Sequence, residues 1–303
     1  MSSAATASAP LFDPAFLEAV QALSLRISQA QRGGRLAEQR TSARGQGSEF
    51  ADYKPYASGD DLRAIDWNVY QRLGRVFVRV FEEQQDLPVY LLVDGSASMA
   101  VETPDRRRAA LQTTFALAAI AMAQQDSAML LPFTTTLQAS GRGVSGRGNL
   151  MRVAQQLEAL RNEGGTDLVA VLQQFAGTRL RRGLLVVVSD FFDPAGTEAV
   201  VGALSRVPHR VLLVQMVRDH DADPRLHLDL HGDVALDDGE PGAGVEIGVD
   251  EVMLRAYAQV YQHFAATLSE HATRTGSGLL RIDAGAEVLP QLLALFGNGE
   301  LRL

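Results

Sequence analysis

The sequence predicts an α/β fold built on a mainly parallel central sheet. Three observations carry this prediction. Short runs are apolar without interruption, as strands covered on both faces should be. Segments with apolar residues at three- and four-residue spacing alternate with them. Oxygen-bearing side chains come directly after the apolar runs, where the carboxyl ends of the strands should lie.

In chain order, Asp13-Pro14 reads as a helix start, a capping acid followed by proline in the first turn. Leu17, Val20, Leu23 and Ile27 continue it as an amphipathic helix ending near Arg32-Gly33-Gly34. From there to Gly47 the chain is rich in Arg, Gly, Ser and Gln without periodicity and reads as a flexible arm. Its arginines lack interleaved aromatics, so a solvated linker is expected rather than nucleic-acid contact. Residues 47–86 differ in character. They carry Tyr53, Tyr56, Tyr70, the single tryptophan Trp67, a turn at Ser58-Gly59-Asp60 and a strand-like RVFVRVF. Trp67 is expected to anchor this block by packing, with Arg63 and Asp66 as a supporting ion pair.

An α/β rhythm then begins. PVYLLV (88–93) is a strand, and Thr103-Pro104-Asp105 opens a helix through TTFALAAIAMA. The triple Arg106-Arg107-Arg108 reads as a solvated helix turn. AMLLPF (128–133) is a strand, NLMRVAQQLEAL a helix, and GGTDLVAVLQQF opens another, with Asp167 as its cap. GLLVVVSD (183–190) is a strand ending in acid, after which Asp193 should cap the next helix at Pro194. TEAVVGALSRV is a helix and RVLLVQMV a strand. Residues 219–248 read as a hairpin excursion, and the pair His227/His231 within it lacks the further ligands a zinc site needs. Asp250 caps a long helix, LLRID (279–283) is a last strand and EVLPQLLALF a last helix.

Composition narrows the function. Net charge of −8 argues against nucleic acid or an anionic membrane surface for the whole chain of 303 residues. Absence of cysteine removes disulfides, thiolate metal sites and a cysteine nucleophile. Lys54 is the sole lysine and lies upstream of the strands, so neither a P-loop nor a phosphate-receiver site can be assembled. No run approaches the roughly 18 apolar residues of a membrane span, and MSSAATASAP lacks the features of a signal peptide. A cytoplasmic protein is the expectation.

The strand ends deliver Asp94, Ser96 and Ser98, then Thr166, then Ser189 and Asp190. All are oxygen donors, the set a hard cation such as Mg²⁺ prefers. Few carboxylates and several hydroxyls leave such an ion under-neutralised, with a position open to an incoming carboxylate. A serine hydrolase using Ser96 or Ser98 is the competing reading, but Gly-x-Ser-x-Gly is absent and no histidine falls at an obvious strand end.

DGSASM after PVYLLV, then GGTD, then VVVSDFFD, resembles the metal-ion-dependent adhesion site of von Willebrand factor A-type domains. The resemblance implies a three-layer, Rossmann-like domain over 87–298 and the ligands Asp94, Ser96, Ser98, Thr166 and Asp190. It further implies Mg²⁺ or Mn²⁺, a partner's acidic side chain completing the shell, and binding rather than catalysis. EFADYKPYASGDDLRAIDWNVYQRLGRVFVRVFEE is similar to the signature of the bacterial domain-of-unknown-function family fifty-eight, and together with the A-type segment the similarity covers about Gly47 to Phe296. Members of that family often travel with MoxR-type AAA ATPases. Such an ATPase is the implied partner, in assembly or activation of other complexes. The expected organisation is a helix and arm (1–46), a family-specific block (47–86) and the A-type domain.

Overall fold

The apolar runs become the central strands. In the computed structural model, residues 10–38, 44–58, 60–82, 87–101, 105–138, 142–226, 232–236 and 244–297 are described. Thr103-Pro104, residues 39–43 of the arm, and His227 and His231 lie outside them. The elements are α1 (Pro14–Glu38), β1 (Arg44–Pro55), α2 (Trp67–Leu73), β2 (Phe77–Glu82), β3 (Pro88–Asp94), α3 (Arg106–Ala123) and β4 (Ser127–Phe133). They continue with β5 (Val144–Ser145), α4 (Leu150–Glu158), α5 (Leu168–Gly177), β6 (Leu184–Ser189), α6 (Thr197–Leu204) and β7 (Arg210–Val217). Last come α7 (Asp219–Ala222), β8 (Gly232–Leu236), β9 (Val245–Val249), α8 (Glu251–Thr275), β10 (Gly278–Asp283) and α9 (Val288–Gly297). Two units separate: residues 30–86, and residues 1–29 together with 87–303.

The larger unit holds a six-stranded sheet in the order β10-β7-β6-β3-β4-β5. All pairs are parallel except β4 with β5. Side chains of a strand point alternately to its two faces, and here both faces are apolar. Val89, Leu91 and Val93 of β3, with Val186 and Val188 of β6, join a core that includes α3, α4 and α9. Tyr90 and Leu92, with Leu185 and Val187, join a second core with α5, α6 and α8. Helices therefore cover both faces of a mainly parallel sheet, the arrangement that continuous apolar strands require. α3 is buried along nearly its whole length because α1 lies on its far side, where Phe12 and Phe16 meet Phe115 at ring-centroid distances of 4.8 and 6.1 Å.

The helix starts follow their capping acids. Asp13 accepts from the Phe16 N–H (2.7 Å), Asp105 from Arg108 (2.8 Å), Asp167 from Ala170 (2.8 Å) and Asp250 from Met253 (2.8 Å). At the other end of α8, Gly276 takes a left-handed φ of 66° and closes the helix.

Two features differ from the sequence expectation. α1 passes through Gly33-Gly34 and ends at Glu38, and β1 begins at Arg44 within the stretch read as an arm. Each glycine costs a helix only about 1 kcal/mol relative to alanine, a local bias that context overrides. β1 is specified by its partner rather than its own periodicity, since it pairs antiparallel with β2 from Phe50↔Phe81 to Pro55↔Phe77. The second difference lies within the smaller unit. Trp67 is not a buried anchor; it is 60% exposed, with Tyr70 as an edge-on ring neighbour at 6.2 Å. Asp66 is engaged by the Tyr53 hydroxyl (3.0 Å), the amides of Asn68 and Val69, and Arg79 at 4.0 Å, rather than by Arg63. Asp60 and Asp61 form turn contacts: Asp60 accepts from the Ala57 amide and pairs with Lys54, and Asp61 accepts from the Arg63 amide. Among the described residues no helix is long and apolar enough to cross a membrane.

Candidate metal centre

From β3 the chain crosses to β4 on one side, and β6 arrives on the other. The strand order thus reverses at β3 and β6, and ligand crevices in open α/β sheets form beyond the carboxyl ends at such a reversal. Asp94 closes β3 there and Asp190 follows β6; each is 4% exposed.

The Asp94 carboxylate is held on both oxygens. Oδ1 accepts the Ser96 amide at 2.9 Å, and Oδ2 accepts the Ser189 hydroxyl at 2.6 Å. Ser189 Oγ in turn accepts the Phe191 amide at 2.9 Å. Ser96 and Ser98 lie with their hydroxyl oxygens 3.0 Å apart. Gly95, just before them, donates to the Phe133 carbonyl at 2.7 Å, and a Cβ there would come within 3.1 Å of that oxygen. A small residue is needed for the turn to sit this close to β4.

A second loop is tied to this turn. Glu163 N–H donates to the Gly95 carbonyl (2.9 Å), Ala97 N–H to the Gly164 carbonyl (3.0 Å), and the Asn162 amide group to the Ser96 carbonyl (3.0 Å). This loop carries Thr166 to the same edge. Its Oγ1 is buried and has no hydrogen-bond partner. The third loop carries Asp190, whose Oδ1 accepts the Phe192 amide at 3.1 Å. Phe191, 1% exposed, adopts φ 65°, a left-handed conformation that costs a bulky residue of order 1–3 kcal/mol and clusters at functional sites.

Since α6 begins at Thr197 with Gly196 at its N-cap, Asp193 does not cap a helix at Pro194. One oxygen accepts from Ala195 (2.8 Å), while the other accepts the Leu168 amide at the start of α5 (2.7 Å). It therefore ties the Asp190 loop to the Thr166 loop, a link spanning 25 residues that local sequence does not announce.

Electrostatically, burial and mutual repulsion weigh on the two acids, with Arg106 as the cation set against them. Burial pushes the Asp94 carboxyl up, against the opposing hydrogen bonds from Ser189 and Ser96. Asp190 is pushed up to about 7, first by burial and then by the charge of Asp94, with Arg106 opposing. Two buried carboxylates that disfavour each other's ionised form are what a divalent cation would relieve. Among the described residues no three His, Cys, Asp or Glu side chains form a metal-holding group, so any cation here depends on the hydroxyls as well as the two acids. An orphaned threonine hydroxyl, two serine hydroxyls and two acids fit a hard ion that keeps several waters.

Arg106 corrects the sequence reading. It is not on a solvated turn but 6% exposed. One guanidinium nitrogen lies 3.5 Å from Asp190 Oδ2, and another 2.5 Å from Asp221 Oδ1. The group sits 5.7 Å from the Phe192 ring centroid. Arg107 donates to the Leu160 carbonyl at 2.9 Å. No sequence signal pairs Arg106 with Asp221, 115 residues away.

Comparison with known proteins supplies further findings. The family model described as "Protein of unknown function DUF58" matches residues 52–267. Uncharacterised proteins of Mycobacterium bovis and Mycobacterium tuberculosis are each 26% identical over 289 residues, covering 93% of this chain and 89% of theirs. Among solved structures, the conserved hypothetical protein BatB of Bacteroides thetaiotaomicron is 13% identical with a TM-score of 0.41, covering 71% of this chain and 98% of that one. An aerotolerance-related membrane protein of Bacteroides fragilis is 14% identical with the same TM-score, covering 71% of this chain and 100% of its own. The manganese-loaded TRAP protein of Plasmodium vivax is 17% identical with a TM-score of 0.33, covering 43% and 57%.

Proposed function

We propose, for a chain that belongs to the DUF58 family of proteins of unknown function, a metal-dependent protein-interaction module. Asp94, Ser96, Ser98, Thr166 and Asp190 would hold Mg²⁺ or Mn²⁺ at the sheet edge. The observation that carries this reading is the buried, unpartnered Thr166 hydroxyl on a loop tied to the turn of two buried acids. A buried polar atom left unpaired costs about 1–3 kcal/mol, so its presence at this edge asks for a ligand. When bound, the ion supplies positive charge to the two acids and an open position for a partner's carboxylate. The partner implied by the family resemblance is a MoxR-type AAA ATPase, with the pair acting in assembly or activation of other complexes.

The reading is of a binder rather than an enzyme. Ser96 and Ser98 bond each other through their hydroxyls, while His209 and His271 line the opposite edge of the sheet, His263 meets Glu198 on exposed surface, and His220, in α7 after β7, forms no hydrogen bond to either serine hydroxyl. None of these supplies the base that a nucleophilic serine needs.

Calorimetric titration with Mg²⁺ or Mn²⁺ tests the proposal. Saturable binding is expected in the wild type, lost in Asp94→Ala and weakened in Ser98→Ala, with circular dichroism unchanged. A wild type that shows neither binding heat nor a metal-dependent thermal shift would refute it. Recovery of the ATPase on the immobilised protein should likewise vanish on adding EDTA.

A further inference from the structure

Resting on the proposed metal site, we infer that Arg106 is a built-in competitor of the metal for Asp190, and that Asp221 holds it back. Its guanidinium fork meets two carboxylates unequally. Asp221 receives a hydrogen bond of 2.5 Å, whereas Asp190 lies at 3.5 Å, close enough for strong attraction but outside the usual charge-assisted hydrogen-bond length. The Arg106 Nε is buried without a partner, so the group is not fully satisfied where it stands. It lies against the Phe192 ring and is 6% exposed.

Asp221 is a prepared anchor. Its second oxygen accepts the Arg218 amide at 2.7 Å, and Arg218 itself is 4% exposed at the end of β7. The anchor thus belongs to the turn following β7, not to the three loops that carry the ligands. A guanidinium beside a ligand carboxylate attracts the same oxygen that the metal needs and repels the metal's own charge. Drawing that guanidinium toward Asp221 lessens both effects. Any partner that shifts the turn of Arg218 to Ala222 would then release Arg106 onto Asp190 and loosen the ion.

The two residues therefore make opposite predictions for one measurement. In Mn²⁺ titrations of the full chain, Arg106→Gln should tighten binding at least about tenfold, and Asp221→Asn should weaken it by a similar factor. Arg106→Lys keeps the charge and should stay within a few-fold of wild type. Thermal unfolding without metal checks that each variant folds. If Arg106 only braced Asp190, its removal would weaken binding; tightening absent in a folded Arg106→Gln overturns the inference. Should that variant fail to fold, Asp221→Asn decides: weaker Mn²⁺ binding supports the inference, and unchanged or tighter binding overturns it. If neither the wild type nor any variant binds Mn²⁺, the metal reading itself falls and takes the inference with it. That outcome is distinct from a wild type that binds and an Arg106→Gln that gains nothing.

Discussion

At the scale of single residues, Thr166 gives the sharpest contrast. Its hydroxyl is buried and unpartnered, so the metal-free fold bears a desolvation cost that a bound ion would remove. Thr166→Val keeps the shape and deletes that oxygen. The metal-free variant should be as stable as wild type or gain about 1 kcal/mol in urea unfolding, while Mn²⁺ affinity drops at least about tenfold. A loss of stability together with unchanged affinity would count against the metal role. His209 makes a separate prediction. Burial first, and the charge of Arg182 next, pushes its imidazole below the usual value, and its Nδ1 accepts the Gly183 amide at 3.2 Å. Burial lowers His271 likewise. The folded state keeps these rings neutral, whereas the unfolded chain takes up protons below about pH 6.5. Stability should therefore be insensitive to them above that pH and fall as pH drops through the lower folded values. Because the raised carboxyls of Asp94 and Asp190 gain stability over the same fall in pH, the test is a difference. Between pH 7.5 and 5.0, His209→Gln should gain stability relative to wild type, and an identical pH dependence in the two proteins would contradict the account. At this scale the oxygen carriers were readable because Asp94, Ser96 and Ser98 follow a recognisable strand. Arg106 was not, because a run of three arginines looks solvated and its partner Asp221 is distant in sequence.

Elements were more legible than their limits. Strands covered on both faces are near-continuously apolar, and β3 and β6 announce themselves that way, as does β7 apart from its buried Gln215. Helix starts were marked by acids whose capping bonds are local. The end of α1 was hidden, because Gly33-Gly34 is only a weak local stop, and β1 was hidden because its strand character depends on β2. One element boundary rests on a contact that sequence could not display. Gly183, just before β6, has no room for a side chain: a Cβ would fall 2.1 Å from the Pro88 carbonyl oxygen at the start of β3. Backbone, not a flexible side-chain end, blocks the space. Gly183→Ala must therefore part β3 from β6 at their amino ends and disturb the bond to His209. A loss of about 2–3 kcal/mol in urea unfolding is expected, at the upper end for overpacking. A shift of less than about 0.5 kcal/mol, the range of an ordinary surface substitution, would mean that the two strands part easily there. Asp250→Ala offers the contrasting case, since it removes only the cap of α8 and should cost about 1 kcal/mol.

For the whole molecule, the contrast lies between the two units. The larger one buries an apolar cluster on each face of its sheet. In the smaller, residues 30–86, Ile65 and Val78 are buried among residues 53–58 and 60–79, the stretch whose side chains are described, and its sheet has two strands. A two-stranded sheet is marginal in water, and a segment this short rarely offsets the conformational entropy of ordering it. Its local bonds, such as Tyr53 with Asp66 and the cap of α2, are exposed and add little. Excised as a peptide, residues 30–86 should show no cooperative thermal transition by circular dichroism. In the intact protein the same segment should be the first cut under limited proteolysis, ahead of sites in α3 or α5. A sharp, reversible melting transition in the isolated peptide would show instead that the block folds on its own. The exposed ring pair Trp67 and Tyr70 would then be the first place to look for the interactions that order it.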